Sequence, residues 1–333
     1  MRFLARWLAV VALVASPSAW AAGGSYSGLY VFGDSLVDSG NAYLGTGGAV
    51  AKPTDGYFAG RFSNGFNFAD YLGLMITGAP TTPAFAGGLN VAVGGATAAY
   101  SPTETSPSFL SQLAYFQTKI ATSIDSNALV LVTFGGNDVR DTIGTGGAVS
   151  FSAAAQALTN GMNALYALGA RNVVIVGSPD IGLLPASAAV AGAVPGRLAE
   201  LTLRSQQINA FLAALASSFD AAPGATASYF DLFGYEHDLL ANPSAFGLPS
   251  TLNTTTPCQV PGGGSPQLAN CSNALYFDAI HPTTQVHQAI ATAIAGQLGI
   301  SPVPEGQVWV MLILGFGTVG GALRRRRMLA AIA

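Results

Sequence analysis

Short β-branched apolar runs alternate with longer Ala-rich segments of helical period along most of the chain, and this alternation constrains the fold more than any other feature. The expected strands are Leu29 to Phe32, Leu89 to Val93, Leu129 to Phe134, Val173 to Val176 and Ser228 to Asp231. The expected helices are Phe66 to Leu74, Phe109 to Ile120, Ala153 to Leu168, Arg197 to Ser217 and Thr284 to Leu298. Nearly continuous apolar strands separated by helices predict a parallel sheet covered on both faces. No fixed-period repeat or low-complexity linker divides residues 22–302, so one α/β domain is expected there. Stretches rich in Gly, Thr and Pro, at Gly45 to Gly60, Ala79 to Gly88, Gly144 to Gly147 and Asn242 to Gly264, read as surface loops. In an open sheet of this class ligands sit beyond the carboxyl ends of the strands.

Half of the 333 residues are hydrophobic and only 9% are charged, against about 25% in an ordinary soluble domain. That composition excludes a disordered chain. Six of the thirteen basic residues lie at the ends, so the body between residues 22 and 302 carries seven Lys and Arg against fifteen Asp and Glu. A body this acidic repels phosphate backbones, and no nucleic-acid partner is expected.

The ends read as addresses. Arg2 and Arg6 precede an apolar stretch from Trp7 to Ala15, then Pro17 and Ala19-Trp20-Ala21, the three-part order of a secretory signal peptide over residues 1–21. Val308 to Leu323 is apolar and followed at once by Arg324 to Arg327. At roughly 24 Å as a helix it is slightly short for a permanent span, but the arginines would hold it on the cytoplasmic side and stall the body outside. The only cysteines, Cys258 and Cys271, would form a disulfide in an oxidising compartment, and closing that short loop is worth on the order of 3 kcal/mol. No Cys-x-x-Cys or nearby His pair supports zinc.

Each early strand ends in a Gly-containing turn: Gly33-Asp34-Ser35-Leu36, Gly94-Gly95-Ala96-Thr97 and Gly135-Gly136-Asn137-Asp138. A lone Ser after a strand is commonly a helix cap. Yet the Ser35 and Gly95 backbone N–H groups with the Asn137 side-chain amide would make three donors around one point, as a developing oxyanion requires. A Ser nucleophile also needs a base. Of the three histidines, His281 follows Asp278 by three residues on a loop, where the carboxylate can hold one ring nitrogen and orient the other. His287 falls in a helical segment and is expected at the surface, and His237, between Glu236 and Asp238, in a solvated loop. Asp34 is expected to brace its turn and Asp138 to cap the following helix.

Gly33-Asp34-Ser35, Asn90 to Gly95, Gly135 to Asp138 and Asp278 to His281 together resemble the GDSL (SGNH) hydrolase family, block by block and in order. Gly60-Arg61-Phe62-Ser63-Asn64-Gly65 followed by Asp70-Tyr71-Leu72 is similar to its lipase and esterase branch. The resemblance implies a flavodoxin-like three-layer α/β/α fold with about five parallel strands. It also implies Ser35 as nucleophile, Ser35, Gly95 and Asn137 as the oxyanion hole, His281 as base and Asp278 as its orienting group. The register of the motif selects Gly95 over Gly94. No metal or organic cofactor is implied. Val303-Pro304-Glu305, Trp309, Gly315 to Gly317 and Arg324 to Arg327 resemble the PEP-CTERM sorting tail, with Gly306 where that pattern has a second proline.

The implied function is an exported serine esterase or lipase acting on acyl esters. A carbohydrate acetyl esterase, or a surface or matrix protein that keeps the fold only for binding, are the competing readings. Expected partners are the ester substrate, the secretion machinery with its signal peptidase, and an exosortase-type enzyme acting on a tail transiently anchored in the inner membrane. The expected destination is the cell surface or the medium. Because the base must be neutral to accept a proton, activity is expected to rise from mildly acidic to neutral pH.

Overall fold

The structure, a computed structural model, describes residues 26–100, 105–259 and 271–300. The expected signal peptide and sorting tail lie outside the described residues. Four five-residue strands, β1 (Leu29–Gly33), β2 (Leu129–Thr133), β3 (Asn172–Val176) and β4 (Thr226–Phe230), pair in parallel in the order β1-β2-β3-β4. The register sets Leu29 beside Leu129, Leu131 beside Val174 and Val176 beside Phe230. β2 is buried at every position, whereas the edge strand β4 is half-buried and correspondingly more polar.

Nine helices accompany these strands among the described residues: α1 (Asn41–Gly45), α2 (Phe68–Thr77), α3 (Phe109–Tyr115), α4 (Gly136–Arg140), α5 (Ser152–Ala167), α6 (Pro185–Ala191), α7 (Arg197–Asp220), α8 (Leu232–Ala241) and α9 (Thr284–Gln297). They flank the sheet. Tyr30 and Phe32 share one face of β1 and meet Phe109 and Phe116 edge-on at ring-centroid distances of 5.7 to 6.2 Å. Each such aromatic pair adds about 0.5 to 1.5 kcal/mol beyond the area it buries. α5 closes on α3 at Gly161, where a Cβ would stand 2.2 Å from the Phe109 ring, so only glycine fits. α2 packs on β1 and on α9, which ties the end of the domain to its beginning.

The structure corrects several expectations. Leu89 to Val93 is not a strand but an extended segment on the outer edge of β1, joined by one bridge and three backbone hydrogen bonds. Side chains take over the rest of the ladder there. Gln112 accepts from the Gly33 N–H and donates to the Gly33 carbonyl, while the Asn41 amide donates to the carbonyls of Asn90 and Ala92. The sheet therefore has four strands, not five. The helix expected from Phe66 starts at Phe68, because Asn67 forms a capping box with Asp70. The helix expected over Phe109 to Ile120 turns π-helical at Phe116–Ile120. Asp231, expected in the last strand, instead accepts from the Gly234 N–H and caps α8. The helices α1, α4, α6 and α8 had no counterpart in the sequence reading.

Candidate active site

At the end of β1 the chain turns sharply. The Asp34 carboxylate accepts from the Leu36 N–H and its carbonyl from Val37 and Asp38, which braces the turn as expected. Burial pushes the Asp34 carboxyl up to about 6, against the opposing pull of that amide and of nearby His281 and Arg140. The turn presents Ser35 Oγ at 2.7 Å from His281 Nε2. His281 Nδ1 in turn lies 2.7 Å from Asp278 Oδ2 and 2.9 Å from Oδ1.

The carboxylate of Asp278 is fully engaged. Oδ1 also accepts from the backbone N–H groups of Ile280 and His281, and Oδ2 from the Tyr57 hydroxyl at 3.0 Å. Burial alone would raise this carboxyl, but the imidazole and the two amides outweigh it and hold it below the usual carboxylate range. Asp278 is therefore ionised at neutral pH and fixes the proton of His281 on Nδ1, leaving Nε2 free to accept from Ser35.

The residues Arg61 to Asn64 hold His281 from the other side. The Phe62 ring lies over the imidazole at 5.0 Å, Ser63 Oγ donates to the Pro282 carbonyl, and Asn64 accepts from the Thr284 N–H at the start of α9. Arg61 pairs with the buried Asp70 carboxylate at 2.6 Å and 3.0 Å. This block therefore clamps the Asp278 to His281 loop.

Gly94 and Gly95 line one hollow beside Ser35, and Asn137 lines another. Gly94 N–H is engaged by Asp38 Oδ2 at 2.8 Å, which leaves Gly95 as the candidate donor of the pair. Gly95 takes φ +83°, and a Cβ there would stand 2.9 Å from Ser106 Oγ. Asn137, in the first turn of α4, donates one Nδ2 hydrogen to the Ala96 carbonyl and accepts at Oδ1 from Arg140. Its second N–H is left for the site. A cleft of about 550 Å³ opens beside Ser35, His281 and Gly95, with apolar walls from Val50, Phe62 and Phe85.

Other residues depart from expectation. Asp138 does not cap α4, whose N-cap is Gly135, but sits within it and accepts from the Ala98 N–H. His287 is not at the surface: it is buried against Phe68, and desolvation first, with the nearby His281, depresses it to about 3. His237 is exposed, as expected, but lies on α8 rather than in a loop, with Nε2 3.0 Å from the buried Asp180 carboxylate. Cys258 and Cys271 are joined in a disulfide. Three site residues escaped the sequence reading: Tyr57, Asp38 and Arg140. Asp38, whose carboxylate takes four backbone N–H groups, could have been suspected from its place three residues after Ser35.

Over residues 29–294 the sequence matches the family described as GDSL-like Lipase/Acylhydrolase. It is 28% identical over 319 residues to a GDSL esterase/lipase of Arabidopsis thaliana, which covers 80% of this chain and 85% of that protein. It is 24% identical over 318 residues to the phosphatidylcholine-sterol acyltransferase of Aeromonas hydrophila, covering 81% of this chain and 90% of that one. Among solved structures, an acetyl xylan esterase from Geobacillus stearothermophilus overlaps with a TM-score of 0.45 at 15% identity, over 85% of this chain and 99% of that one. The chain belongs to the GDSL-like lipase/acylhydrolase family and is a carboxylic ester hydrolase.

Proposed function

We propose that this chain is an exported serine esterase or lipase that cleaves acyl esters through an acyl-enzyme on Ser35. The observation that carries the reading is the continuous relay from Ser35 Oγ through His281 to Asp278, with 2.7 Å at both links. His281 Nε2 takes the Ser35 proton as Oγ attacks the ester carbonyl, and the resulting oxyanion lies among the Ser35 and Gly95 amides and the Asn137 side chain. Imidazolium then protonates the leaving alcohol. Water, deprotonated by the same nitrogen, attacks the acyl-enzyme, and return of the proton to Ser35 releases the acid. Asp278 stays ionised throughout and stabilises the imidazolium. The apolar cleft walls suit the hydrocarbon part of the ester.

Turnover of chromogenic acyl esters of graded chain length by wild type, Ser35→Ala and His281→Ala tests this. Wild-type turnover no higher than that of the variants would overturn it, and preference for acetyl over every longer chain would move the reading to a carbohydrate acetyl esterase. Export rests on the pattern of residues 1–21 and accords with the disulfide. Retention by the apolar and basic tail is tested by deleting residues 303–333, which should change where the protein accumulates and leave its activity intact.

A further inference from the structure

We propose that Arg140 is a positioning residue of the oxyanion hole, holding the Asn137 amide in its only productive orientation. The proposal rests on the hydrolase reading above. Arg140 and Asn137 lie one turn apart on α4, and Arg140 Nη1 donates to Asn137 Oδ1 at 2.7 Å. On its other side the amide donates from Nδ2 to the Ala96 carbonyl at 2.9 Å. The two contacts are of opposite polarity. A primary amide is nearly symmetric in shape, and rotation by half a turn would aim Oδ1 into the site, where it would repel an oxyanion. In this setting the flipped amide would set its NH₂ against a guanidinium, which has no acceptor, and its oxygen against the oxygen of Ala96. Both contacts would be lost together.

Arg140 does more than lock the rotamer. A charge-assisted bond to Oδ1 draws electron density from the amide and strengthens the remaining N–H as a donor. The side chain is half-buried and lines the cleft beside Ser35 and His281. The neighbouring residues of α4 serve the same wall. Asp138 holds the Ala98 N–H, and Val139 is fully buried beneath.

The test is a double-mutant cycle on the full chain with a short chromogenic ester. Asn137→Ala should lower kcat by about 10²- to 10³-fold. Arg140→Met should lower kcat by about tenfold or more with KM nearly unchanged, and Arg140→Lys should recover part of the loss. In the Asn137→Ala background Arg140→Met should change kcat by less than about twofold, because the group it acts through is gone. An equal loss in both backgrounds, or a rise in KM alone, would overturn the proposal. Loss of Ser35-dependent turnover in wild type would instead strike the hydrolase reading. For that case the ¹⁵N-labelled Asn137 side-chain amide gives a second readout independent of catalysis. Its hydrogen exchange should accelerate in Arg140→Met and recover in Arg140→Lys, and unchanged exchange would refute the coupling.

Discussion

Replacing Tyr57 with Phe removes a single hydroxyl from the site and leaves its ring in place, packed edge-on against Phe277 at 5.1 Å and Phe62 at 6.0 Å. What is lost is the donor to Asp278 Oδ2. A hydrogen bond to a charged group contributes about 1.5 to 3 kcal/mol. Most of that cancels, since Asp278 is ionised whether the imidazole is charged or neutral. Relieved of one donor, however, the carboxylate attracts the imidazolium more strongly than the neutral ring. If roughly a third to a half of the bond survives as that difference, the imidazolium gains about 0.5 to 1.5 kcal/mol. This moves the acid limb of kcat/KM to higher pH by about 0.4 to 1.1 units. The Asp278 carboxyl, held low in the folded protein, contributes stability that is present above its unfolded value and lost as pH falls through the folded one. Tyr57→Phe should make that acid loss smaller as well. The assay is the pH dependence of kcat/KM, with thermal melts from pH 3 to 7 alongside. An unmoved acid limb, or a thousandfold loss on the neutral plateau, would refute the assignment of Tyr57 to the carboxylate.

Other changes should be equally readable. Asp278→Asn should lower kcat by about 10⁴-fold at neutral pH without unfolding the protein, because an amide facing Nδ1 favours the tautomer whose Nε2 carries a hydrogen toward Ser35; a loss under tenfold in steady-state kinetics would contradict the relay. Gly161→Ala should cost about 1 to 3 kcal/mol in urea unfolding, since its methyl would overlap the Phe109 ring, and a neutral result would mean that α5 and α3 sit farther apart. Burial first, with the neighbouring Asp180 charge adding to it, raises Glu236 to about 7, while the Asp180 N–H and the Tyr276 hydroxyl pull the other way. A carboxyl raised on folding stabilises most below its unfolded value, and that contribution is lost as pH rises through the folded one. The thermal midpoint should therefore fall between about pH 4.3 and 7, and Glu236→Gln should flatten that slope. Reducing the Cys258–Cys271 disulfide should lower stability by about 3 kcal/mol in denaturant melts, and midpoints unchanged by reductant would contradict that.

Features that depend on local pattern were legible in the sequence. The strands Leu29–Gly33, Leu129–Thr133 and Asn172–Val176 announce themselves as apolar runs, and Ser35 and Asn137, just beyond the first two, are residues of the site. What stayed hidden depends on partners far apart in sequence. Tyr57 reaches Asp278 across 221 positions, and nothing around it marks a hydroxyl that must be buried. Leu89 to Val93 has the pattern of a strand, but Gln112 and Asn41 satisfy main-chain groups that a regular ladder would pair. His287 is hidden because a helical period does not tell which face turns inward when the helix packs on α2. Nothing in the sequence marks Arg140, which stands out only through its contact with the side-chain amide of Asn137.

The nucleophile and its base lie 246 positions apart, with residues 57–64 bridging them from the N-terminal side. A chain emerging in order of synthesis would thus possess Ser35, Gly95 and Asn137 long before it possesses any group able to remove the Ser35 proton. A nascent or clipped product lacking the Asp278 to His281 loop would hold an unactivated Ser35 alcohol and would be inert toward esters. Ester hydrolysis by this arrangement requires α9 to be docked on α2 and the loop before it to set the imidazole 2.7 Å from the serine, so the site is complete only when both ends of the described fold have met.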